Sequence, residues 1–225
     1  MSVLAPPRWE VVYAEAHAER FRFLAGAGAE FVRANGLLAV HTGEDSNVDN
    51  GIVLEHEDVD VEPLLGWFRA PASLICSGFE ASDGLRERLA RLGLREETTG
   101  VTTGAVLGDL PALSPPDGVS IGEDFEPRPL PIRHWAAWRA GARVGSASAF
   151  FTSRTVLLEH VNVDEDERRR GIGTALALAR LHEARRLGCE LGVFGTTPES
   201  AALYEQFGFT TQPVDGRRWF YLPGP

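Results

Sequence analysis

The sequence predicts an α/β protein of two domains, in which helices pack against mixed β-sheets. Hydrophobic residues make up 44% of the 225 residues, which is enough to bury a sizeable core. In the second half, short apolar runs typical of strands alternate with longer segments that have helical spacing. A stretch rich in proline and glycine at 108–118 is typical of a linker. We therefore predict domains at 1–117 and 118–225.

The first domain is predicted to begin with a long helix. Apolar residues recur with helical spacing over 9–35, and Gly36 is predicted to stop the helix. Residues 37–40 and 52–54 are predicted strands, because each is a short run of aliphatic side chains. The loop between them ends in Asn50-Gly51, a dipeptide that favours hairpin turns.

A helix, a strand and another helix are predicted to follow in this domain. Residues 62–70 are helix-like, and residues 73–76 are a candidate for a buried strand. Leucines at three- and four-residue spacing over 85–92 predict a helix that ends at Gly93.

Seven elements are predicted in the second domain. The predicted strands are 135–138, 144–151, 156–163, 190–194 and 219–222, and the predicted helices are about 172–187 and about 198–207. The order strand, helix, strand, helix, strand indicates α/β alternation around a mixed sheet.

A short internal similarity links the two halves. Arg91-Leu92-Gly93-Leu94 and Gln206-Phe207-Gly208-Phe209 each follow a predicted helix that is itself preceded by a short apolar strand. This similarity indicates either a shared ancestry of the halves or the common use of glycine to end a helix.

The negative charge is concentrated in the first domain. Residues 1–117 contain 19 acidic residues and 9 arginines, whereas residues 118–225 contain 13 of each, so the whole net charge of −10 lies in the first part. Nucleic acid is therefore not an expected partner, because nonspecific binding requires a basic surface. The acidic part favours a cationic substrate or is simply a solvated face.

The composition is typical of a cytoplasmic protein. No apolar run approaches the roughly 20 residues that cross a bilayer, so no membrane association is expected. The first seven residues lack a basic stretch followed by an apolar run, so no export signal is expected. Cys76 and Cys189 cannot form a disulfide framework, and the histidines and cysteines show no metal-ligand spacing, so no metal is expected.

The stretch 161–176 carries the most chemical information. An apolar strand ends in an acidic turn, which is followed by three arginines, two glycines spaced one residue apart, and a helix. The glycines allow a ligand to approach the backbone, and the first turn of the helix offers N–H groups and a positive dipole end to phosphate oxygens. The arginines would add charge-assisted hydrogen bonds to a diphosphate.

Two other phosphate-binding loops fit less well. A Walker A loop ends in Gly-Lys-Ser/Thr, and this chain has no lysine. A dinucleotide-binding fingerprint requires a glycine where Leu176 stands. A plain charged helix entrance with a glycine turn is the alternative without a ligand.

Two motifs together resemble the GNAT superfamily of acyl-CoA-dependent N-acyltransferases. Arg168-x-x-Gly171-x-Gly173 after a strand is similar to the pyrophosphate-binding motif of that family. The segment 197–209, a helix that carries Leu203-Tyr204 and closes with Gly208-Phe209, is similar to its second signature. The resemblance covers about residues 131–222. It implies a mixed, mostly antiparallel central sheet flanked by helices, with a second, smaller α/β domain that is a degenerate GNAT-like domain.

The resemblance also implies a set of site residues. The backbone of Val161, Asn162 and Val163 would bind the pantetheine arm of acetyl-CoA and polarise the thioester carbonyl. Tyr204 would be the general acid that protonates the leaving CoA thiolate, and the alternative for it is a core aromatic residue with a satisfied hydroxyl. The diphosphate would be held by Arg168, Arg169, Arg170, Gly171, Ile172, Gly173 and Thr174. Thr197 stands where the family often has asparagine, and its hydroxyl can still donate or accept a hydrogen bond.

Two neighbouring residues are candidates for the general base. Glu159 and His160 lie on the strand before the phosphate loop, and alternation places them on opposite faces unless the strand bulges. Histidine, with an ordinary pKa of about 6.5, suits proton acceptance, whereas a glutamate would need a raised pKa or a water relay. Either residue can instead be a solvated strand position, and a base from the first domain is a further alternative.

The function expected from this resemblance is transfer of an acetyl or short acyl group from acetyl-CoA to a primary amine. The acceptor would be a small molecule or a peptide amine, and the oligomeric state is left open, a homodimer included. The alternative is a non-catalytic acyl-CoA-binding or protein-interaction module with the same fold.

Overall fold

The computed structural model describes residues 7–45, 49–96, 101–124, 131–213 and 217–224. The chain divides into two compact units, residues 1–100 with 213–225 and residues 101–212. The units are nearly equal in length, so neither is the smaller domain that the sequence predicted. No helix of the described ranges is both long and apolar enough to cross a membrane. The first six residues, on which the expectation about export depends, lie outside those ranges.

Five helices and thirteen strands are present in the described residues. The helices are α1 (Trp9–Gly26), α2 (Glu62–Leu65), α3 (Asp83–Arg91), α4 (Ile172–Arg186) and α5 (Pro198–Glu205), and a 3₁₀ turn spans Glu165–Glu167. The strands are β1 (Glu30–Ala34), β2 (Leu37–His41), β3 (Gly51–Leu54), β4 (Ala72–Cys76), β5 (Arg95–Glu96), β6 (Val101–Val106), β7 (Val119–Glu123), β8 (Ile132–Arg139), β9 (Ala142–Phe151), β10 (Thr155–Val163), β11 (Leu191–Thr196), β12 (Thr210–Pro213) and β13 (Trp219–Leu222).

The first unit is a six-stranded sheet covered on both faces. The strand order is β1-β2-β3-β4-β13-β5, with β3 and β4 parallel and the other described pairs antiparallel. Alternate residues of β2, β3 and β4 pack against α1 on one face and against the α3 side on the other. All residues of these three strands are therefore buried, which explains why their sequences are continuous apolar runs.

The second unit is a seven-stranded sheet of order β12-β6-β11-β10-β9-β8-β7. β10 and β11 are parallel, and the pairs β7–β8, β8–β9, β9–β10 and β6–β11 are antiparallel. α4 follows β10 and buries nine of its residues, among them Ile172, Leu176 and Leu181, in the core of this unit. Each unit is thus a mixed, mostly antiparallel sheet flanked by helices, as the sequence predicts.

The long helix predicted over 9–35 is wrong at its C-terminal end. α1 ends at Gly26, and residues 30–34 form β1, which pairs with β2. Asn35 and Gly36 make the two-residue turn between these strands, and Gly36 has a φ of +71°. Asn-Gly is the sequence that such hairpin turns favour, so the signal for the hairpin was present and was outweighed by the helical spacing.

The boundary between the units also differs from the predicted one at 117/118. β6 precedes the Pro/Gly-rich stretch, yet it pairs along its whole length with β11 of the second unit. β13, predicted as the closing strand of the second domain, pairs with β4 and β5 of the first unit. The stretch 108–118 therefore lies inside the second unit. β6, which follows α3 in the sequence, therefore belongs to the second unit, and β13, which follows α5, belongs to the first.

Candidate functional site

The seven-stranded sheet opens between its two parallel strands. β10 and β11 pair at three positions, the last of which is Leu157 with Val193. β10 then runs on for six residues and β11 for three, and these parts are not paired with each other in the described structure. We call this region, residues 158–163 and 194–196, the wedge. Its backbone N–H and C=O groups can bind an extended ligand between the strands.

A β-bulge interrupts β10 within the wedge. Glu159 pairs with Ser148 of β9, and the next pair is Asn162 with Ser146, so β10 has one residue more than β9 between these pairs. His160, inside the insertion, has a φ of +42°. A non-glycine residue adopts this left-handed conformation at a cost of about 1–2 kcal/mol, and such strain is concentrated at functional sites.

The bulge changes which side chains share a face. Simple alternation would place Glu159 with Val161 and Val163, and His160 with Asn162. Because paired residues of an antiparallel ladder project to the same face, the observed register instead places Glu159 with Asn162. Glu159 is buried, whereas His160 is exposed and Val161 is 40% exposed. The strand bulges, so the simple alternation of side chains between the two faces does not decide whether Glu159 or His160 is the base.

The loop after β10 leads into the N-terminus of α4. Gly171 is the N-cap residue with a φ of +83°, and it makes no side-chain cap, so the N–H groups of the first helical turn remain for a ligand. A Cβ at Gly173 would lie 3.8 Å from Leu203 Cδ2 and 4.0 Å from Val163 Cγ2, which are ordinary contacts. The fold therefore does not require glycine at position 173, and the absence of a side chain there leaves the helix entrance open.

The three arginines of the loop have different local partners. Arg168 donates from Nε to the carbonyl oxygen of Val163 at 3.0 Å, which ties the loop back to β10. Arg170 pairs with Glu167 at 3.3 Å. Arg169 has a φ of +61°, and no ion pair to it is found in the described part of the chain. All three are exposed, so their guanidinium groups are accessible to an anion.

Tyr204 lies in the core beside the wedge. Its side chain is 4% exposed, and its ring packs against Phe194 of β11 with centroids 4.3 Å apart. Arg180 Nη2 donates to the Tyr204 hydroxyl oxygen at 2.6 Å. The hydroxyl therefore has a fixed partner, and its own proton is left to point elsewhere.

Thr197 caps a helix. Its hydroxyl accepts a hydrogen bond from the backbone N–H of Ser200 at 3.4 Å and satisfies the first turn of α5. The structure thus gives this side chain a local role at the start of the second motif.

Arg180 is the residue that sequence reasoning missed. It is fully buried in α4 and contacts both Tyr204 and the start of the bulge. The signal was available, because Arg180 is the single charged residue in the otherwise small or apolar stretch 172–181. A charge inside an apolar helical segment is rarely buried without specific partners.

The two cysteines are unsuited to nucleophilic chemistry. Both are free and buried. Burial raises the pKa of the Cys189 thiol, and it raises the pKa of the Cys76 thiol to about 12. Neither thiol is therefore ionised near neutral pH.

Comparison with known proteins places a family domain on this unit. Residues 109–209 match the model of the Acetyltransferase (GNAT) family. No match is found among curated proteins.

Solved structures resemble the chain over almost its whole length. A GCN5-related N-acetyltransferase from Kribbella flavida has a TM-score of 0.65 at 17% identity, covering 95% of this chain and 96% of that one. A putative acetyltransferase of the GNAT family from Novosphingobium aromaticivorans has a TM-score of 0.60 at 12% identity, with 93% and 94% covered. A tandem GNAT protein from the clavulanic acid biosynthesis pathway has a TM-score of 0.54 at 15% identity, with 95% and 96% covered. At these identities the likeness concerns the fold alone.

Proposed function

We propose that this protein transfers an acetyl or other short acyl group from acetyl-CoA to a primary amine, because residues 109–209 match the model of the Acetyltransferase (GNAT) family. The observation that carries the proposal is the wedge, in which a bulged strand that is not paired with β11 in the described structure runs directly into an arginine- and glycine-rich helix entrance.

The donor would lie along β10 and end at α4. The backbone of Val161, Asn162 and Val163 would hydrogen-bond the pantetheine arm, because this part of β10 is not paired with β11 in the described part of the chain. The first-turn N–H groups of α4 would bind the diphosphate, supported by Arg169 and its neighbouring arginines. Gly173 fits this role, since a Cβ there would make only ordinary contacts with Leu203 and Val163, and the missing side chain leaves room at the helix entrance.

The reaction is a direct aminolysis of the thioester. The amine nitrogen attacks the carbonyl carbon, a C–N bond forms, and the C–S bond breaks as the thiolate leaves with the bonding electron pair. A backbone N–H at the bulge would stabilise the oxyanion. Tyr204 would give its hydroxyl proton to the thiolate, and the proton that the new amide nitrogen loses would go to the base, from which Tyr204 is reprotonated through solvent. The products are the N-acylated amine and CoA with its thiol.

Glu159 and His160 are both proposed as bases, for different reasons. His160 is exposed at the bulge, where an acceptor amine can reach it. Glu159 is buried and shares a face with Asn162 of the wedge. Separate substitutions are therefore needed to assign the proton acceptor.

One observation favours a second candidate, a non-catalytic acyl-CoA-binding module. Tyr204 is almost fully buried and its hydroxyl accepts from Arg180, as expected of a core tyrosine. Screening amines for release of free CoA separates the two candidates. Tight binding with no release on any amine would select the binding module.

Calorimetry of acetyl-CoA binding tests the proposed site. The variant carries Arg168→Ala, Arg169→Ala and Arg170→Ala, and a matched control replaces three exposed arginines of the first unit, Arg33, Arg91 and Arg95. Because charge-assisted hydrogen bonds contribute about 1.5–3 kcal/mol each, the loop variant should bind at least about tenfold more weakly. The control has the same net charge and should bind as the wild type does. Equal binding by the loop variant and the control would refute the site.

A further inference from the structure

A fully buried arginine lies at the junction of the bulge and the second motif. Arg180 is in the middle of α4, and its side chain has no exposed surface. Four of its five N–H groups have acceptors: the carbonyl oxygens of Leu176, Ser148 and Glu159, and the hydroxyl oxygen of Tyr204. A buried guanidinium is costly unless such acceptors surround it, so this geometry is strongly determined.

Two of these acceptors are strand carbonyls next to the bulge. The register of β9 and β10 breaks immediately after the pair Ser148–Glu159. Arg180 Nη1 donates to both carbonyl oxygens of this pair at 3.0 Å. A β-bulge disrupts the ladder locally, and the guanidinium supplies hydrogen bonds at that point. The side chain therefore holds the strand where the bulge begins.

The other end of the same guanidinium holds the proposed general acid. Nη2 donates to the Tyr204 oxygen at 2.6 Å, so this oxygen is occupied as an acceptor. The Tyr204 O–H is consequently left as a donor for a different partner. Because a guanidinium is rigid and planar, the position of Tyr204 is coupled to the position of the bulge.

We infer that Arg180 is a positioning residue for acyl transfer, which sets the hydroxyl of Tyr204 relative to the bulged backbone of β10. This inference rests on the proposed function, in which Tyr204 protonates the leaving thiolate and the backbone at the bulge binds the thioester carbonyl oxygen. Arg180 itself touches no substrate. A lysine at this position keeps the charge, but its single nitrogen lacks the fork that reaches two carbonyls and a hydroxyl together.

A double-mutant cycle between Arg180 and Tyr204 tests the inference. Arg180→Lys, Tyr204→Phe and the double variant are compared in kcat and KM on an amine found in the screen, and in the Kd for CoA by calorimetry. Leu181→Val, at a fully buried neighbour on the same helix, is the control for core disturbance. Should Arg180→Lys lack the circular dichroism of the folded protein, Arg180→Gln replaces it, because its amide still offers two N–H donors.

We expect both single variants to lower kcat, and the double variant to lower it little further, because the two residues act through the same hydroxyl. General acid catalysis contributes about 10²–10⁴-fold, so each single variant should lower kcat by at least about tenfold. The double variant should be no more than about threefold slower than the slower single variant. The Kd for CoA should change by less than about threefold in all variants, because the diphosphate loop is untouched. Leu181→Val should keep the wild-type kcat.

Two different results would overturn the inference and are distinguishable. Wild-type kcat in Arg180→Lys, or fold-losses that multiply in the double variant, would show that Arg180 does not act through Tyr204, while the proposed function stands. A wild-type protein that binds no CoA, or releases none with any amine, would overturn the proposed function and this inference together.

Discussion

Gly173 offers a substitution whose effects on stability and on ligand binding should have opposite signs. It is the second residue of α4, and an added Cβ would meet only side-chain atoms at 3.8 and 4.0 Å. Alanine in a helix is about 0.5–1 kcal/mol more favourable than glycine, because the unfolded glycine chain has more conformations to lose. We therefore expect Gly173→Ala to raise the free energy of unfolding by about 0.5–1 kcal/mol, which raises Tm by about 1–4 °C.

The same methyl group would stand where a diphosphate must approach the backbone. Losing one charge-assisted hydrogen bond of about 1.5–3 kcal/mol raises the Kd for acetyl-CoA by about 10- to 150-fold. A matched control exists in the first unit: Gly84 is the second residue of α3, and a Cβ there would meet only Ser82 Oγ, at 3.8 Å. Gly84→Ala should raise Tm similarly and leave acetyl-CoA binding unchanged.

The assays are thermal unfolding and calorimetric titration with acetyl-CoA on the three proteins. If Gly173→Ala is stabilised and binds acetyl-CoA as tightly as wild type and Gly84→Ala do, the helix entrance does not hold the diphosphate. If it is destabilised, the reasoning about open space at position 173 is wrong.

Three further outcomes are expected. Deleting residues 214–225 removes β13 from between β4 and β5 and should abolish cooperative thermal unfolding of the first unit, whereas deleting only 223–225 should not. Glu159→Gln and His160→Gln should differ in the dependence of kcat on pH. The variant that removes the base should lose the fall in kcat at acidic pH, and the other variant should keep it. If both variants keep the wild-type profile, neither residue is the general base. Burial raises the pKa of the Cys76 thiol to about 12 from 9.0, so the unfolded thiol ionises first as pH rises. This group should lower the free energy of unfolding by about 1.4 kcal/mol per pH unit from about pH 9 towards pH 12. In denaturant titrations, Cys76→Ala should remove this contribution and leave the smaller one of Cys189, whose pKa burial also raises.

Elements with one dominant local signal were predictable from the sequence. The strands at 144–151 and 156–163 and the helix at about 172–187 agree with β9, β10 and α4, because long apolar runs and strong helical periodicity leave little ambiguity. β5, β7 and β12 were not predicted, because they are short and partly exposed and carry few apolar residues. β1 was included in the long helix predicted over 9–35, because its apolar residues continue the helical spacing. β6 was missed as well, since its buried residues are largely threonine, glycine and alanine. The residues with which it pairs in β11 are 85 to 95 positions further along the chain, and no local pattern reveals such a pairing.

The candidate site was predictable in its loop and not in its interior. The arginines and glycines of the phosphate loop form a contiguous pattern, and the structure places them at the entrance of α4. The bulge at His160 and the contacts of Arg180 depend on how β9 and β10 are registered and on how α4 packs beneath them. Such properties arise from tertiary packing, so a single sequence indicates them only through an unexplained charge in an apolar helix.

The two units share a topology but differ at the place where a donor would bind. In both, an α-helix joins two parallel strands, and the next helix is followed by a glycine at positive φ, Gly93 or Gly208. An edge strand of the same unit comes next, and the strand after it belongs to the sheet of the other unit. In the first unit every residue of β3 pairs with β4, so its described residues contain no corresponding wedge. The segment that follows, 55–62, holds five acidic residues and no arginine, and its helix α2 is four residues long. Negative charge and a paired seam both oppose a diphosphate, so we expect a calorimetric stoichiometry of one acetyl-CoA per chain. A stoichiometry of two would show that the closed, acidic seam of the first unit does not prevent binding.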